Sequence, residues 1–566
     1  MRIVEVTVAD NSRSLEAPAL TREKWGSRVG VILAVAGSAV GLGNFLRFPG
    51  LAAIHGGGVF MIPYFVSLIL VGIPLGWVEW TTGRYGGACG YNSAPGIFSV
   101  LWKNRVSKYF GVLALLIPVG IYTYYVYIEG WCLAYAWDYL SGRMATYGTD
   151  VQAYRSRFGQ FVGAEANGFV LHGSVQESLV FMVIVFVLNF VLIYRGLTKG
   201  IEAFCKFAMP LLLLIGVVML VRVLTLNTPD PTHPEANINN ALGFMWNPKA
   251  EGGSIWRPLA DPELWLAAAG QIFFTLSVGF GIILNYASYL RESDDVVLSG
   301  LTANATNEFC EVCLGGLITV PVAFLFLGAA NLTKDVLDSS FSLGFMALPA
   351  VFARMPAGRV FGAMWFFMLF IAAITSSVSM LQPAIAFLEE GLGMGRRMSV
   401  TCLGMITAIG GLLVVYFSKD LLALDTMDFW VGTVCIFVLA TIEIIVVGWI
   451  FGIPRTREES RRGAEMAVPS VFWFLIKYVS PVYMLVIFGL WCRRNIPRKI
   501  EAIRLMSDED RGTTILMLAF IIVLLIFFAL MVNLAGKRWR AQGRLSAREA
   551  ASFTATSAAR PIEDRP

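Results

Sequence analysis

Charged residues are scarce in this 566-residue chain. Asp, Glu, Lys and Arg together make up 15% of it, whereas hydrophobic residues make up 57% and the mean hydropathy is +0.67. A soluble domain does not have this balance, so we predict a helical protein that crosses a membrane many times. The net charge of +5 is small and scattered, without a basic block, which excludes a nucleic-acid-binding surface.

Residues that carry enzyme chemistry are also few. The three histidines, His55, His172 and His233, lie far apart, and no nucleophile or metal ligand accompanies them in the sequence. We therefore expect no enzyme and no catalytic residues. The eight cysteines fall mostly in or beside apolar runs, and the Cys310-Glu-Val-Cys313 pattern has no second pair, so buried thiols are expected rather than disulfides or a metal site.

Long apolar runs divide the chain into about twelve membrane spans. We predict them near Val29–Ile54, Val59–Thr82, Tyr109–Leu140, Ser178–Tyr194, Phe204–Leu226, Pro262–Tyr289, Val297–Leu327, Arg359–Leu388, Val400–Phe417, Met427–Phe451, Val471–Trp491 and Thr514–Leu534. Lys and Arg concentrate on one side, which predicts a multi-pass protein of the cell inner (plasma) membrane with both termini cytoplasmic. Four basic residues on the opposite side do not follow this rule: Arg493, Arg494, Arg498 and Lys499.

Glycines crowd the middle of two spans. Gly37, Gly41 and Gly43 lie in the first span, and Gly279 and Gly281 lie in the sixth. Each glycine in a helix interior costs about 1 kcal/mol relative to alanine, which indicates either a deliberate break or close helix packing through Gly37-x-x-x-Gly41. Two interrupted spans at matching positions of two halves are typical of an inverted-repeat transporter with a central site.

Three other spans carry polar groups in apolar surroundings. Thr375, Ser376 and Ser377 are hard oxygen donors that suit a group 1 cation, although hydroxyls also commonly bond to their own helix. An ionisable group within a membrane indicates function, which draws attention to Glu308 and Glu311 beside Asn307. A tyrosine cluster in the third span is either an interfacial belt or a pocket wall: Tyr122, Tyr124, Tyr125 and Tyr127.

Together these stretches resemble the neurotransmitter:sodium symporter family, most closely its bacterial amino-acid transporters of the leucine-transporter type. The similarity runs from about Arg22 to the end of the twelfth span. The motifs that carry it are Gly41-Leu-Gly-Asn-Phe-Leu-Arg-Phe-Pro49, Gly56-Gly-Gly-Val-Phe-Met-Ile-Pro63, Gly83-Arg-Tyr-Gly-Gly87, Tyr125-Val-Tyr-Ile-Glu129, Gln271-Ile-Phe-Phe-Thr-Leu-Ser277, Thr375-Ser-Ser377 and Met427-Asp-Phe-Trp430.

This resemblance implies an all-α membrane protein with a 5+5 inverted repeat, in which helices 1 and 6 are broken and two helices are additional. The domains would be a cytoplasmic tail (1–24), a first five-helix repeat (25–226), an extracellular loop (227–261), a second five-helix repeat (262–451), two further helices with their loops (452–536) and a cytoplasmic tail (537–566).

Carried over residue by residue, the resemblance implies two co-transported sodium ions. The first would bind the Ala39 carbonyl, the Asn44 and Asn307 side chains, the carbonyl and hydroxyl of Thr275, and the carboxylate of the substrate. The second would bind the carbonyls of Gly37, Val40 and Ala372 and the hydroxyls of Thr375 and Ser376.

The resemblance also implies a substrate pocket and two gates. The substrate carboxylate would meet the Leu42 and Gly43 amides and the Tyr125 hydroxyl, and its amino group would meet carbonyls of Ala39, Phe274 and Thr275 and the Ser277 side chain. Its side chain would lie among Ile121, Phe274, Phe280, Ser376 and Met380. Arg47 and Asp428 would gate the outside under a lid of Phe274 and Tyr125. Arg22 and Glu390, with Trp25, Ser288 and Tyr289, would close the inside, and Gly200 and Pro210 match an unwinding motif of the fifth span.

Two positions indicate the substrate and the ions. Gly41 stands where monoamine-transporting relatives carry an Asp, so the substrate is expected to supply its own carboxylate. Glu311 stands where chloride-dependent relatives place a hydroxyl, so its carboxylate is expected to replace chloride. Three residues depart from the family pattern: Ser38, which belongs to the predicted pocket, Met380 and Glu390. The resemblance therefore does not determine the shape of the pocket or the geometry of the inner gate.

We therefore expect a sodium-coupled symporter that imports neutral, mainly apolar L-amino acids by alternating access and without chloride. A transport-inactive amino-acid sensor of the same fold is the alternative, whereas a channel is disfavoured by the paired gates. The sequence leaves open the preferred amino acid, proton or potassium exchange, and the oligomeric state, a homodimer included.

Overall fold

Helices make up most of the chain in a computed structural model. The structure describes residues 24–171, 174–229, 232–248, 254–328 and 342–544. Within these residues the strands are one antiparallel pair, β1 (Val170–Leu171) and β2 (Ser174–Val175), in the connection between the third and fourth predicted spans. The fold is therefore all-α, as the composition predicts.

Nineteen helices are named here in chain order, apart from a short 3-10 turn at Arg143–Tyr147. They are α1 (Arg28–Ala39), α2 (Gly43–Ile54), α3 (Gly58–Ala88), α4 (Ala94–Leu101), α5 (Ser107–Ser141), α6 (Val151–Phe161), α7 (Glu177–Tyr194), α8 (Leu197–Leu224), α9 (Ile238–Trp246), α10 (Trp256–Leu259), α11 (Pro262–Leu276), α12 (Ile282–Ala287), α13 (Val297–Phe326), α14 (Leu343–Arg354), α15 (Gly358–Leu392), α16 (Arg396–Tyr416), α17 (Lys419–Arg461), α18 (Ser470–Leu505) and α19 (Asp508–Ala541).

The predicted spans all correspond to helices of the described chain. Ten helices are long and apolar enough to cross a bilayer, and the pair α1–α2, bent by 49°, raises the number to eleven. The sixth predicted span contains α11 and α12, separated by residues 277–281; α12 has only six residues, so this pair does not enter that number. The two spans that we predict to be interrupted are thus both interrupted.

The helices differ in how deeply they lie in the fold. The most apolar segment of α5 is 94% buried, whereas the corresponding segments of α7 and α19 are only 28% buried. Lipid can cover exposed apolar side chains in a membrane, so α7 and α19 are peripheral and α5 is central. The third predicted span is therefore a wall of the interior rather than an interfacial belt.

The eleventh span extends beyond its predicted end at Trp491. Helix α18 continues to Leu505, so the four basic residues that break the charge rule lie on a helical extension beyond the apolar segment. The Arg494 guanidinium lies 2.6 Å from a Glu263 carboxylate oxygen and 3.4 Å from one of Asp261. The Lys499 ammonium lies 5.2 Å from the centre of the Phe429 ring. Partners within the protein thus account for two of the four charges.

Glycines allow the central helices to approach closely. A Cβ atom at Gly315 of α13 would overlap the Asn44 carbonyl oxygen of α2, and one at Gly344 would lie against the Leu46 side chain. Small residues serve this purpose in membranes, where close packing rather than a hydrophobic driving force holds helices together. The contact at Gly315 brings α13 directly against the break in the first span.

Replacing Gly315 by Ala is therefore expected to destabilise the protein. The added methyl group must displace backbone, and overpacking of this kind costs about 1–3 kcal/mol. We expect a lower thermal unfolding midpoint for the purified protein in detergent. Gly489→Ala is the control because a Cβ atom there meets nothing within 4 Å. An equal loss of stability in the two variants would contradict this account of the packing.

Candidate functional site

The first span breaks between α1 and α2. Regular helix ends at Ala39, Val40 is extended (φ −71°, ψ 99°), and helical geometry returns at Gly43. A Cβ atom at Gly37 would lie 3.2 Å from Met209 Sδ of α8, while one at Gly41 would lie 2.8 Å from the Tyr125 hydroxyl. Both interpretations of the glycines therefore hold, because Gly37 serves close packing and Gly41 lies in the break.

The sixth span breaks through left-handed backbone. The φ angles of Ser277, Gly279 and Gly281 are 53°, 74° and 79°. A left-handed conformation is unfavourable for residues with a Cβ, so the two glycines have a direct conformational reason here. Ser277 adopts it nonetheless, and its hydroxyl donates to the Ser38 carbonyl at 3.2 Å. This hydrogen bond joins the two broken spans.

One group of polar side chains lies where the two breaks meet α13. The Asn44 Nδ2 atom lies 3.0 Å from the Thr275 hydroxyl and 2.9 Å from the Asn307 amide. With the Asn307 nitrogen turned toward the neighbouring carbonyls, it lies 3.1 Å from the Thr275 oxygen and 3.3 Å from the Ala39 oxygen. The four residues predicted for the first sodium ion are thus assembled within one hydrogen-bonded cluster.

Glu311 belongs to the same cluster. Its carboxylate accepts hydrogen bonds from Gln271 Nε2 at 3.0 Å, the Tyr64 hydroxyl at 3.0 Å and Asn44 Nδ2 at 3.1 Å, and it also contacts the Thr275 hydroxyl. All of these groups are buried. A carboxylate with neutral donors in a low-dielectric interior needs a nearby cation or a proton, and this requirement makes the cluster a candidate cation site.

The hydroxyls of α15 divide into two kinds. Ser376 donates toward the break, where its Oγ lies 3.0 Å from the Ser38 carbonyl and 3.3 Å from those of Gly37 and Val40. Thr375 instead bonds to its own helix, at 2.9 Å from the Ile371 carbonyl and 3.0 Å from that of Ala372. The residues predicted for the second sodium ion therefore lie next to one another between α1 and α15. Of the two roles that the sequence allows for these hydroxyls, Ser376 is placed as a possible cation ligand, whereas Thr375 bonds to its own helix.

A cavity of about 20 Å³ lies between the two breaks, α5 and α15. It is large enough for a water molecule but not for an amino acid, so a ligand of that size requires its walls to move apart. Its lining includes every residue predicted for the substrate pocket, together with Gly41 and Asn44: Ser38, Ala39, Leu42, Gly43, Ile121, Tyr125, Phe274, Thr275, Ser277, Phe280, Ser376 and Met380. Ser38 is held from behind by Ser379, with 2.7 Å between their hydroxyl oxygens.

On one side the cavity is covered by Phe274 and Arg47. The Arg47 guanidinium lies over the Phe274 ring, 4.7 Å from its centre. The Asp428 carboxylate accepts from the Tyr124 hydroxyl at 2.8 Å. Among the described ion pairs none joins Arg47 to Asp428, so the two predicted gate residues lie on the same side but have other partners in this conformation.

The predicted inner-gate residues gather around the connection between α3 and α4. The Glu390 carboxylate accepts from the Asn92 and Ser93 amides at 2.7 and 2.8 Å, and lies 3.8 Å from the Arg544 guanidinium. Arg22, its predicted partner, lies outside the described residues. The remaining predicted residues take other partners: the Trp25 indole donates to the Tyr286 carbonyl at 2.9 Å, Asn92 donates to the Ser288 hydroxyl at 3.0 Å, and Gln382 donates to the Tyr289 hydroxyl at 3.3 Å.

The chain matches the model of the sodium:neurotransmitter symporter family over residues 22–153 and 149–534. The chain belongs to this family. An uncharacterised sodium-dependent transporter of Methanocaldococcus jannaschii is 30% identical over 479 residues, covering 82% of this chain and 89% of the relative. A similar transporter of Haemophilus influenzae is 29% identical and covers 82% and 97%, respectively. The sodium-dependent serotonin transporter of Drosophila melanogaster is 27% identical and covers 85% and 78%.

Among solved structures, the crystal structure of MhsT in complex with L-phenylalanine superposes with a TM-score of 0.69. It is 27% identical and covers 83% of this chain and 99% of MhsT. This member of the sodium:neurotransmitter symporter family therefore has the leucine-transporter fold, with two five-helix repeats of inverted topology. It is a sodium-dependent, multi-pass membrane transporter and not an enzyme.

Sequence reasoning missed several residues of the site in this symporter. Tyr64, Ser379 and Arg544 contact the predicted residues Glu311, Ser38 and Glu390, which are distant in sequence: Tyr64 and Glu311 are 247 positions apart, and Ser38 and Ser379 are 341 apart. Gln271 had a local signal, because it lies one helical turn before Thr275. The others had none, since their positions depend on how the helices pack.

Ser376→Ala should destabilise the symporter more than an ordinary buried serine replacement. The three carbonyls at the first break that lie around the single Ser376 proton would lose it, and an unsatisfied buried group costs about 1–3 kcal/mol. Thermal unfolding of purified protein in sodium-free buffer measures the loss. Ser399→Ala is the matched control because, within the described part of the chain, the buried Ser399 hydroxyl bonds to Gly395 at the start of its own helix. Equal shifts would show that Ser376 does not support the break.

Proposed function

We propose that this protein is a symporter that imports neutral, mainly apolar L-amino acids with two sodium ions by alternating access. One observation carries the proposal: the two breaks, the Asn44 and Thr275 members of the polar cluster, and Ser376 line one cavity. Broken helices at the middle of the bilayer place backbone groups where an ion and a zwitterion can use them.

The chemistry of the cavity lining favours a neutral amino acid. The start of α2 presents backbone amides near the Tyr125 hydroxyl, with 3.3 Å between the Leu42 nitrogen and that oxygen. Backbone amides at a helix N-terminus suit a carboxylate. The lining contains no charged side chain, and Ile121, Phe280 and Met380 form its apolar part. Similarity to MhsT, whose structure contains L-phenylalanine, points the same way.

A shared ligand would couple the ion to the substrate. We assign Ala39, Asn44, Thr275 and Asn307 to the first sodium ion, whose shell the substrate carboxylate completes. We assign Gly37, Val40, Ala372, Thr375 and Ser376 to the second. Neither the first ion nor the amino acid has a complete site without the other, so they bind together.

Two sodium ions supply enough free energy for strong accumulation. At −100 mV, two charges contribute about 4.6 kcal/mol. A tenfold sodium gradient adds about 1.4 kcal/mol for each ion. The sum of roughly 7 kcal/mol supports accumulation on the order of 10⁵-fold.

We further propose that transport is independent of chloride and takes place in the plasma membrane, with both termini in the cytoplasm. The Glu311 carboxylate is bonded to the Asn44 side chain, so its negative charge lies beside the proposed sodium shell. Lys and Arg are enriched on the side that carries both tails, which favours this orientation. Arg47 and Asp428 belong to the outer gate, and Glu390 to the inner one.

The decisive experiment is equilibrium binding of the twenty amino acids to purified protein, with and without sodium, followed by uptake into proteoliposomes. We expect sodium-dependent binding and uptake of neutral amino acids, and poor replacement of sodium by lithium or potassium. An amine without a carboxylate, such as tyramine, should not compete, because Gly41 provides no carboxylate in its place. Uptake of tyramine at the rate of leucine or alanine would contradict the proposal.

Asn307→Ala should weaken sodium and amino-acid binding together, because the first ion and the substrate carboxylate share a shell. Loss of one ligand to a charged species is worth about 1.5–3 kcal/mol, or roughly 10- to 150-fold in affinity. Titration of amino acid at several sodium concentrations measures the effect. Asn304→Ala is the control, since Asn304 is buried one turn earlier in α13 and lies against Gly76. Wild-type amino-acid affinity in Asn307→Ala at every sodium concentration would refute the shared shell.

Glu311→Ser should make uptake depend on chloride, because a free anion would then supply the negative charge beside sodium. Wild-type uptake should continue in gluconate medium. Glu308→Ser is the comparison variant, because Glu308 also accepts from the Tyr64 hydroxyl, at 2.7 Å, but it interacts with Asn307 of the proposed shell and not with Asn44. The idea fails if the wild type stops in gluconate, or if folded Glu311→Ser is equally active with and without chloride.

A further inference from the structure

A carboxylate of the fifth span holds the beginning of α1. Glu202 lies at the end of a π-helical turn, Leu197–Glu202, with which α8 begins, and it is 1% exposed. One of its oxygens accepts from the Gly26 amide at 2.9 Å, and the other lies 3.3 Å from the Ser27 hydroxyl. The Ser27 hydroxyl in turn accepts from the Gly30 amide at 3.0 Å and caps α1. A chain of hydrogen bonds therefore runs from α8 into the first turn of α1.

The backbone is shaped to admit this carboxylate. A Cβ atom at Gly30 would overlap a Glu202 carboxylate oxygen and lie 2.5 Å from the carboxyl carbon. A Cβ atom at Gly26 would lie 3.2 Å from the same oxygen. The same irregular turn makes a second link, from the Thr198 hydroxyl to the Lys24 carbonyl at 3.0 Å. Absence of side chains at Gly26 and Gly30 thus lets Glu202 reach the backbone of α1.

Other contacts at this end of α1 are of a different kind. Arg28 pairs with Asp295 at 3.4 Å and contacts Glu465, but the Arg28 side chain is 40% exposed, and exposed ion pairs contribute little. The Trp25 indole donates to the Tyr286 carbonyl. Glu202 is a buried charge, compensated by two donors of α1 and by the Lys206 ammonium at 2.7 Å. Moving α1 away would remove the Gly26 and Ser27 donors and leave Glu202 with Lys206 of its own helix, and hydrogen bonds to a charged group are costly to lose.

Both segments joined by this contact are interrupted or irregular helices. Helix α1 is not continuous with α2 and meets it at a 49° bend, so α1 can change its orientation without bending a regular helix. The turn that carries Glu202 is itself irregular, with Pro210 two turns later inside α8. Irregular turns of this kind concentrate at functional positions in helices. A change in the winding of this turn would move Glu202 relative to α1.

We propose that Glu202 is the positioning residue that holds α1 against α8, and that breaking its bonds to Gly26 and Ser27 accompanies opening of the cavity on that side. This proposal rests on the proposed function, in which the cavity opens to the two sides in turn. The contact is a conformational latch between the first and fifth spans, and Glu202 touches neither the proposed substrate nor the proposed ions.

A native cysteine reports the position of α1. Cys205 is fully buried, and its Sγ atom lies 3.3 Å from where a Cβ atom at Gly37 would be. It is therefore covered by α1 and becomes accessible when α1 moves away from α8. The test uses a full-length background that keeps Cys205 and replaces the other seven cysteines by Ser: Cys89, Cys132, Cys310, Cys313, Cys402, Cys435 and Cys492. The protein is placed in lipid nanodiscs with sodium and without amino acid, and the rate of N-ethylmaleimide labelling is measured.

Glu202→Ala should speed labelling of Cys205 at least tenfold, which corresponds to about 1.4 kcal/mol in favour of the open position. Glu202→Gln keeps one acceptor oxygen and should lie between Glu202→Ala and the parent. Ser27→Ala removes one of the two donors and should also speed labelling. Glu458→Gln is the matched control, because Glu458 is exposed and its ion pair within the described residues is with Arg462, just past the end of α17. It should label at the parent rate.

Labelling at the parent rate in folded Glu202→Gln and Ser27→Ala overturns the latch, whether or not Glu202→Ala folds. A merely structural role would lower the unfolding midpoint and leave the labelling rate of the folded protein unchanged, which also overturns it. The assay contains no amino acid, so its result does not depend on the proposed substrate. If the proposed function fails, the parent neither binds nor transports amino acids, while the difference in labelling between Glu202→Gln and Glu458→Gln remains.

Discussion

Backbone that leaves its helix inside a bilayer must find hydrogen-bond partners within the protein, because hydrocarbon offers none and each unpaired group costs several kcal/mol. Two spans of this transporter break near their middle, and the surrounding structure is arranged to meet that requirement. Ser376 of α15 turns its hydroxyl to three carbonyls of the first break. Ser277, itself within the second break, donates to Ser38 in the first. The breaks therefore support each other and are held by the helix that faces them.

Close approach of the helices makes this support possible. Gly315 brings α13 against the Asn44 carbonyl. In the second break, a Cβ atom at Gly279 would lie 2.8 Å from the Ala440 Cβ atom, and one at Gly281 would lie 2.5 Å from that of Ala114, so only glycine fits this closely. With no side chain between the backbones, the freed polar groups lie within hydrogen-bond distance of their partners. Glu311, Gln271 and Tyr64 then extend the cluster through three helices. In such a buried cluster an uncompensated carboxylate is costly, which ties this cluster to the presence of a cation or a proton.

The two sides of the cavity are closed in different ways. Arg47 lies on the Phe274 ring on one side, while Asp428 is bonded to Tyr124. On the other side, hydrogen bonds from Asn92 and Ser93 hold Glu390, and Glu202 and Thr198 hold the start of α1. The first side is covered mainly by a cation over a ring, whereas the second is held by several hydrogen bonds, most of them partly buried. The cavity of about 20 Å³ between them has no room for an amino acid in this conformation.

The sequence by itself determined the spans, both breaks and most residues that surround the cavity. Hydropathy and the free-energy cost of glycine in a helix are local properties, so Gly41, Gly279 and Gly281 indicate the breaks without information about helix packing. Resemblance to the family supplied residues such as Asn44 and Asn307, which the structure assembles in one cluster. Only the tertiary structure decided that Ser376 faces the break while Thr375 bonds to its own helix, and that Arg544, at the end of the described chain, lies by Glu390. It also decided that Arg47 and Asp428 have separate partners. These contacts depend on the rotation and separation of helices that are distant in sequence, and no local pattern of residues records those quantities.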